Sequence, residues 1–203
     1  MRQYCSILGG YLFGLQFRLL FYFLLLPFTA YAGTCGPAGD ATLPREMMAN
    51  VRKNDTAQYP VDPKITIASF LSPGEDSHRF DLGRAASITG YVVKVQPGGI
   101  ESCNCHARDA ANRDTHIFVA IDRYHTWIKD CMVVEVTPRT RLSHPDWTTP
   151  ILRNRLRGRT VTFVGSIFWD AEHEQNAVNT NPSNRLSWRR TAWELHPVTD
   201  IRL

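Results

Sequence analysis

The sequence predicts a mainly β protein, with five strands, one short helix between the third and fourth, and an irregular N-terminal extension in front. Three observations carry this. Two neighbouring segments alternate apolar and polar residues with a period of two, a clearly punctuated helix follows, and two more alternating segments close the chain. The pattern centres on residues 113–139. Within 114–122, Ile117, Val119 and Ile121 point one way, and His116, Phe118 and Asp122 the other. Within 131–136, Met132, Val134 and Val136 share a face, while Cys131, Val133 and Glu135 share its opposite. The eight residues between them suit a hairpin with a long turn. His116 and Glu135 then lie on the side away from the aliphatic core, where solvated polar residues are the ordinary expectation.

In chain order, residues 1–32 carry only Arg2 and Arg18 as charges, then an apolar run from Leu19 to Phe28, then Ala30-Tyr31-Ala32. A positive flank, a short apolar core and an A-x-A end predict a secretory signal peptide cut after Ala32, hence a secreted or periplasmic protein. The run is too short to cross about 30 Å of hydrocarbon, so no stable membrane span is expected after cleavage. Cleavage would reduce the 23 basic residues to 21 against 19 acidic ones, a balance of +2. Such a balance gives no strong electrostatic case for nucleic acid. Four cysteines would remain, Cys35, Cys103, Cys105 and Cys131, an even number that favours disulfides in an exported protein. Cys103 and Cys105 are too close in sequence to pair comfortably, so one bridge from the N-terminal tail and a second from loop to hairpin are expected, with the partners open.

Residues 33–84 read as the extension, with a short helix over 44–51 that puts Met47, Met48 and Val51 on one side, and a strand over 65–71. The domain proper spans 85–203. Its first strand, 87–95, holds Gly90, which permits a bend or a close backbone approach. A polar loop, 96–113, leads to the two central strands. The helix has Thr149 as N-cap, Pro150 at its first position and Gly158 as its stop, with Ile151, Leu152 and Leu156 facing inward. Residues 160–169 form the fourth strand, 170–190 a polar loop, and 191–201 the fifth strand.

This order of elements resembles the OB-fold, a five-stranded Greek-key barrel. The resemblance covers residues 85–203 and rests on element order. It implies a ligand face on strands two and three, bordered by the loops joining strands one and two and strands four and five. Those connections hold Cys103-Asn104-Cys105-His106 and His173, and long loops in compact domains carry function or disorder. The partner implied is an oligonucleotide, a glycan or a protein segment.

The chemistry-bearing residues are His116, Glu135, His173 and the pair Glu194 and His196. The last two lie two apart on a strand and project from one face. They give acid–base groups, with Glu135 and His196 the catalytic candidates. In a metal-assisted alternative, His116, His173, Glu194 and His196 would bind zinc and leave a position for water. The binding reading needs no cofactor. Cys103-Asn104-Cys105-His106 falls short of zinc spacing, which leaves two to four residues between paired cysteines, so disulfide use is favoured there. Arg139 and Arg141 could grip a phosphate or carboxylate. Phe118, Trp127, Trp169 and Trp188 are candidate stacking platforms, with Trp193 assigned to the core.

No Gly-rich phosphate loop, G-x-S-x-G elbow or HExxH occurs, so nucleotide-binding, serine-hydrolase and thermolysin-type chemistries lack support. Three readings follow: an exported binding domain, a metal-assisted hydrolase or phosphodiesterase, and a structural or assembly factor of the cell envelope. The first strand (GYVVKVQPGG) is similar to the opening strand of thermonuclease-like enzymes, which share such a barrel. The Asp expected after the glycine turn is missing, and Cys103-Asn104-Cys105 stands in its place.

Overall fold

The structure is a computed structural model, and it describes residues 35–203; the expected signal peptide and its cleavage point lie outside the described residues. Five strands close into a barrel: β1 (Ala85–Pro97), β2 (Thr115–Ala120), β3 (Met132–Val136), β4 (Thr160–Trp169) and β5 (Trp193–Arg202), in the order β1-β2-β3-β5-β4. β1 closes the barrel because one strand serves two neighbours. Its first half pairs with β4 and its second half with β2, Tyr91 facing both Thr160 and Ala120. Gly90 sits at that handover. A Cβ there would lie 2.3 Å from Ile67 Cδ1 and 2.7 Å from the Ala120 carbonyl, so the close approach expected of this glycine is real.

Alternation sorts the side chains as expected. Ile117, Val119, Met132, Val134, Val136 and Leu195 fill the barrel interior with Ile88, Val92, Phe163 and Leu152. On the opposite face of the same strands, Phe118, Ala120, Cys131 and Val133 form a smaller apolar cluster under Trp188. Ile121, expected inside, is 42% exposed because β2 ends at Ala120. Ile151 is likewise exposed, while Leu152 and Leu156 of its helix are buried.

Among the described residues, four α-helices accompany the strands: α1 (Pro44–Lys53), α2 (Ile67–Leu71), α3 (Thr140–Ser143) and α4 (Thr149–Leu156). α4 starts one residue earlier than its punctuation suggested, with Thr148 as N-cap, and Gly158 past its end takes φ +78°. Of residues 65–71, expected as a strand, 67–71 instead form α2. Thr66 and Ser69 build a reciprocal capping box there, a local signal that outweighs the apolar run.

The extension is not loosely attached. α1 turns Met47, Met48 and Val51 outward and its polar side, Asn50 and Lys53, inward. Asn50 donates to Ala38 O and Ser102 Oγ, and Asn54 donates to Pro37 O and Cys103 O. A disulfide between Cys35 and Cys105 ties the start of the described chain to the same loop. The second expected bridge does not form: Cys103 and Cys131 are buried free thiols, one in the β1–β2 loop and the other at the foot of β3. Among the described residues no helix is long and apolar enough to cross a membrane.

Candidate functional site

Strand register builds the site. His116 on β2 faces Glu135 on β3, and the parallel pairing of β3 with β5 (Val133 with Glu194, Val134 with Leu195) brings Glu135 alongside His196. Three adjacent strands therefore present one polar row. His116 Nε2 lies 3.1 Å from Glu135 Oε1, and His196 Nδ1 lies 3.4 Å from Glu135 Oε2 and 3.3 Å from Glu194 Oε2. Gly98 makes room for the first of these, since a Cβ there would sit 2.6 Å from His116 Nε2.

The row is not solvated. Contrary to the outer-face expectation, Glu135 is 3% exposed and His196 1%, with His116 and Glu194 equally enclosed. The cover is the extension on one side and the β4–β5 loop on the other. Lys53 reaches in from α1 to pair with Glu101 Oε2 at 2.8 Å and Glu172 Oε2 at 3.3 Å, so one side chain clasps both long loops. Arg189, fully buried, bridges Asp170 at 2.9 Å and Glu194 at 2.7 Å. His173 Nδ1 meets Asp170 Oδ2 at 2.7 Å, and its ring lies edge-on to Trp188. His173 thus joins the network through Asp170 and Arg189, not beside His116.

Asp114, two residues before His116, completes the set. Its Oδ2 accepts from Asn104 Nδ2 at 2.6 Å. Ligand atoms of Asp114, Glu135 and His196 all lie within 4.8 Å of one another, and all three residues are buried. Neither carboxylate has a lysine or arginine at ion-pair distance among the described residues, because Lys53 and Arg189 are committed elsewhere. Asp114 Oδ1, Glu135 Oε2 and His196 Nε2 are buried atoms without an aligned hydrogen-bond partner. Such atoms are rare and costly, and call for an explanation.

The protonation states answer this crowding. Burial drives the Glu135 carboxyl well above its usual range, and the Glu194 charge adds to it. His196 goes the other way against burial: Glu135, Glu194 and Asp114 hold its pKa up at about 9. Glu101 would be raised by burial, but Lys53 brings it down to about 2. Asp170 is held well below the carboxylate range despite burial, by His173 and Arg189. Burial and the neighbouring charges thus favour the protonated forms of Glu135 and His196.

No family model, curated protein or solved structure matches this chain.

The other expected site residues lie elsewhere. Phe118 is buried under Trp188 and is not a stacking platform. Trp169 packs on Trp193 near the core. Arg139 donates to the Cys35 carbonyl, and Arg141 donates to Trp147 O, Ala111 O and Thr115 Oγ1. Both brace backbone instead of gripping an anion. Asp114, Lys53, Asp170 and Arg189 were not singled out from sequence. For Asp114 a signal existed, since the period of two that places His116 also places the residue two before it. For the other three, loop and extension geometry decide, and no sequence period reports that.

Proposed function

We propose that this protein is a metal-assisted hydrolase whose centre is Asp114, Glu135 and His196. The observation that carries this is the convergence of three buried donors, drawn from the head of β2, β3 and β5, with their ligand atoms within 4.8 Å and two carboxylates lacking a fixed cation. Donors at about 2.0–2.2 Å from a shared tetrahedral zinc lie about 3.3–3.6 Å apart, so side-chain shifts of roughly an ångström would close ligand atoms within 4.8 Å of one another onto a single ion. Two oxygens and one imidazole nitrogen suit zinc or another borderline ion. Such an ion supplies an activated water near neutral pH. His116 would orient Glu135, the kind of supporting partner a metal ligand set requires.

Binding must displace the proton that His196 holds below about pH 9, so metal affinity should rise with pH toward that value. Zinc at 100 times its dissociation constant should raise the melting temperature by about 5–10 °C. Asp114→Asn and Glu135→Gln should abolish that shift while leaving the fold intact by circular dichroism. An unchanged melting temperature with zinc, manganese and nickel alike would dismiss the metal reading. The Cys35–Cys105 disulfide supports action outside a reducing cytosol.

A second reading, binding of an oligonucleotide, glycan or envelope protein, draws on the β2–β3 turn. Trp127 there is 71% exposed under the Lys129 ammonium, and Tyr124 is exposed beside the Arg123 guanidinium. Exposed rings flanked by cations suit stacked ligands. Loss of any such binding in Trp127→Ala would favour it.

A further inference from the structure

His196 has two edges. Its Nδ1 edge belongs to the carboxylate cluster, and the residue also helps to line a cleft of about 190 Å³ formed with Arg52, Asp55, Tyr59, Ser166 and Phe168. Two of the lining groups are buried polar atoms with no partner: Ser166 Oγ and His196 Nε2. Arg52, at the end of α1, forms no ion pair among the described residues. The acid in the cleft, Asp55, is already engaged, accepting from Tyr59 Oη at 2.5 Å and from the Ala57 amide. Lys53 stands behind Phe168, its ammonium 5.8 Å from the ring centre.

We propose that this cleft binds the phosphoryl group of a small phosphoester, with Arg52, Ser166 and His196 as its donors. With a metal on Nδ1 the imidazole carries its proton on Nε2, so His196 offers the cleft a donor. An arginine fork beside a hydroxyl and an imidazole N–H suits phosphate oxygens. The volume decides the size of what is enclosed. Sites that bury drug-sized ligands run from about 300 Å³ upward, so this one encloses a head group and a few further atoms, not an oligomer. As a substrate site the cleft rests on the hydrolase reading; as an anion site it stands on its own residues.

The test is calorimetric titration of inorganic phosphate and of glycerol phosphate into the full chain at pH 7, before and after chelator treatment. Saturable binding of both is expected, and Arg52→Gln and Ser166→Val should each weaken it by about tenfold or more, the loss of a charge-assisted or buried hydrogen bond. Stronger binding of free phosphate than of the ester would mark the cleft as a product or phosphate site within the same chemistry. Saturable phosphate binding by a parent chain that takes up no zinc, manganese or nickel would uphold the anion site and remove the hydrolase reading. Zinc uptake without saturable phosphate binding, or phosphate binding untouched by both variants, would overturn the anion site and leave the metal centre standing.

Discussion

The two faces of the β2–β3–β5 sheet are equally dry and chemically opposite. Inside the barrel, Ile117, Val134 and Leu195 are enclosed by aliphatic neighbours and owe nothing further. One residue along each strand, His116, Glu135 and Glu194 with His196 are buried just as deeply, yet carry atoms without aligned partners. Burial of the first set stabilises the fold by roughly 1.5–3 kcal/mol per side chain. Burial of the second set costs free energy that only partial pairing offsets. A fold that encloses such a row behind a disulfide-tied extension holds a chemical arrangement at the expense of stability.

The largest effects should come from cutting each face at its most enclosed point. Leu195→Ala opens a cavity in the barrel and should cost about 2–5 kcal/mol. Arg189→Met leaves Asp170 and Glu194 buried without their shared cation and should cost about 3–5 kcal/mol. Urea unfolding separates the two. Adding Asp170→Asn and Glu194→Gln should restore much of the Arg189→Met loss, whereas no polar change repairs Leu195→Ala. Failure of that rescue would mean that Arg189 acts by packing.

A smaller effect is pH-dependent. Glu101 has its folded pKa lowered from 4.5 to about 2, burial opposing and Lys53 prevailing. A depressed carboxyl contributes stability that is present above pH 4.5 and lost as pH falls toward 2. The difference amounts to about 3 kcal/mol. Lys53→Met should flatten this acid limb, seen as a urea midpoint that changes much less between pH 5 and pH 2.5. An acid limb as steep as in the parent chain would show that Lys53 does not set Glu101.

Smaller again is Glu135→Gln. Because burial and Glu194 disfavour its charge, replacing the carboxyl by an amide should leave stability unchanged or raise it by about 1 kcal/mol, while zinc uptake disappears. Opposite signs for stability and metal binding are what distinguish this face from the interior. A loss of stability comparable to Leu195→Ala would make Glu135 an ordinary structural residue.

How much of this could be read beforehand follows from which forces are periodic. The strand positions, the inward set Ile117, Val119, Met132, Val134 and Val136, and the helix between β3 and β4 were legible because alternation and capping are local. So was the common face of His116, Glu135, Glu194 and His196. Their contact was not, since it depends on β3 lying parallel beside β5, a pairing across the whole barrel. The cover was illegible for a different reason. α1 buries Asn50 and Lys53 and exposes Met48 because the surface it meets is polar, and a hydrophobic pattern cannot announce a helix that packs by its polar side.

The smallest effect tests where periodicity stops. Ile117 and Ile121 lie four apart in one alternating segment, and the period of two assigns both to the core. β2 ends at Ala120, and Asp122 caps the turn that follows by accepting from the Tyr124 and His125 amides. That turn carries Ile121 off the barrel, leaving it 42% exposed while Ile117 is fully enclosed. Ile121→Ser should therefore shift stability by no more than about 0.5 kcal/mol, against about 2–5 kcal/mol for Ile117→Ala. Equal losses would mean that β2 continues to Ile121 in solution, and the polar row would then have a longer strand to stand on.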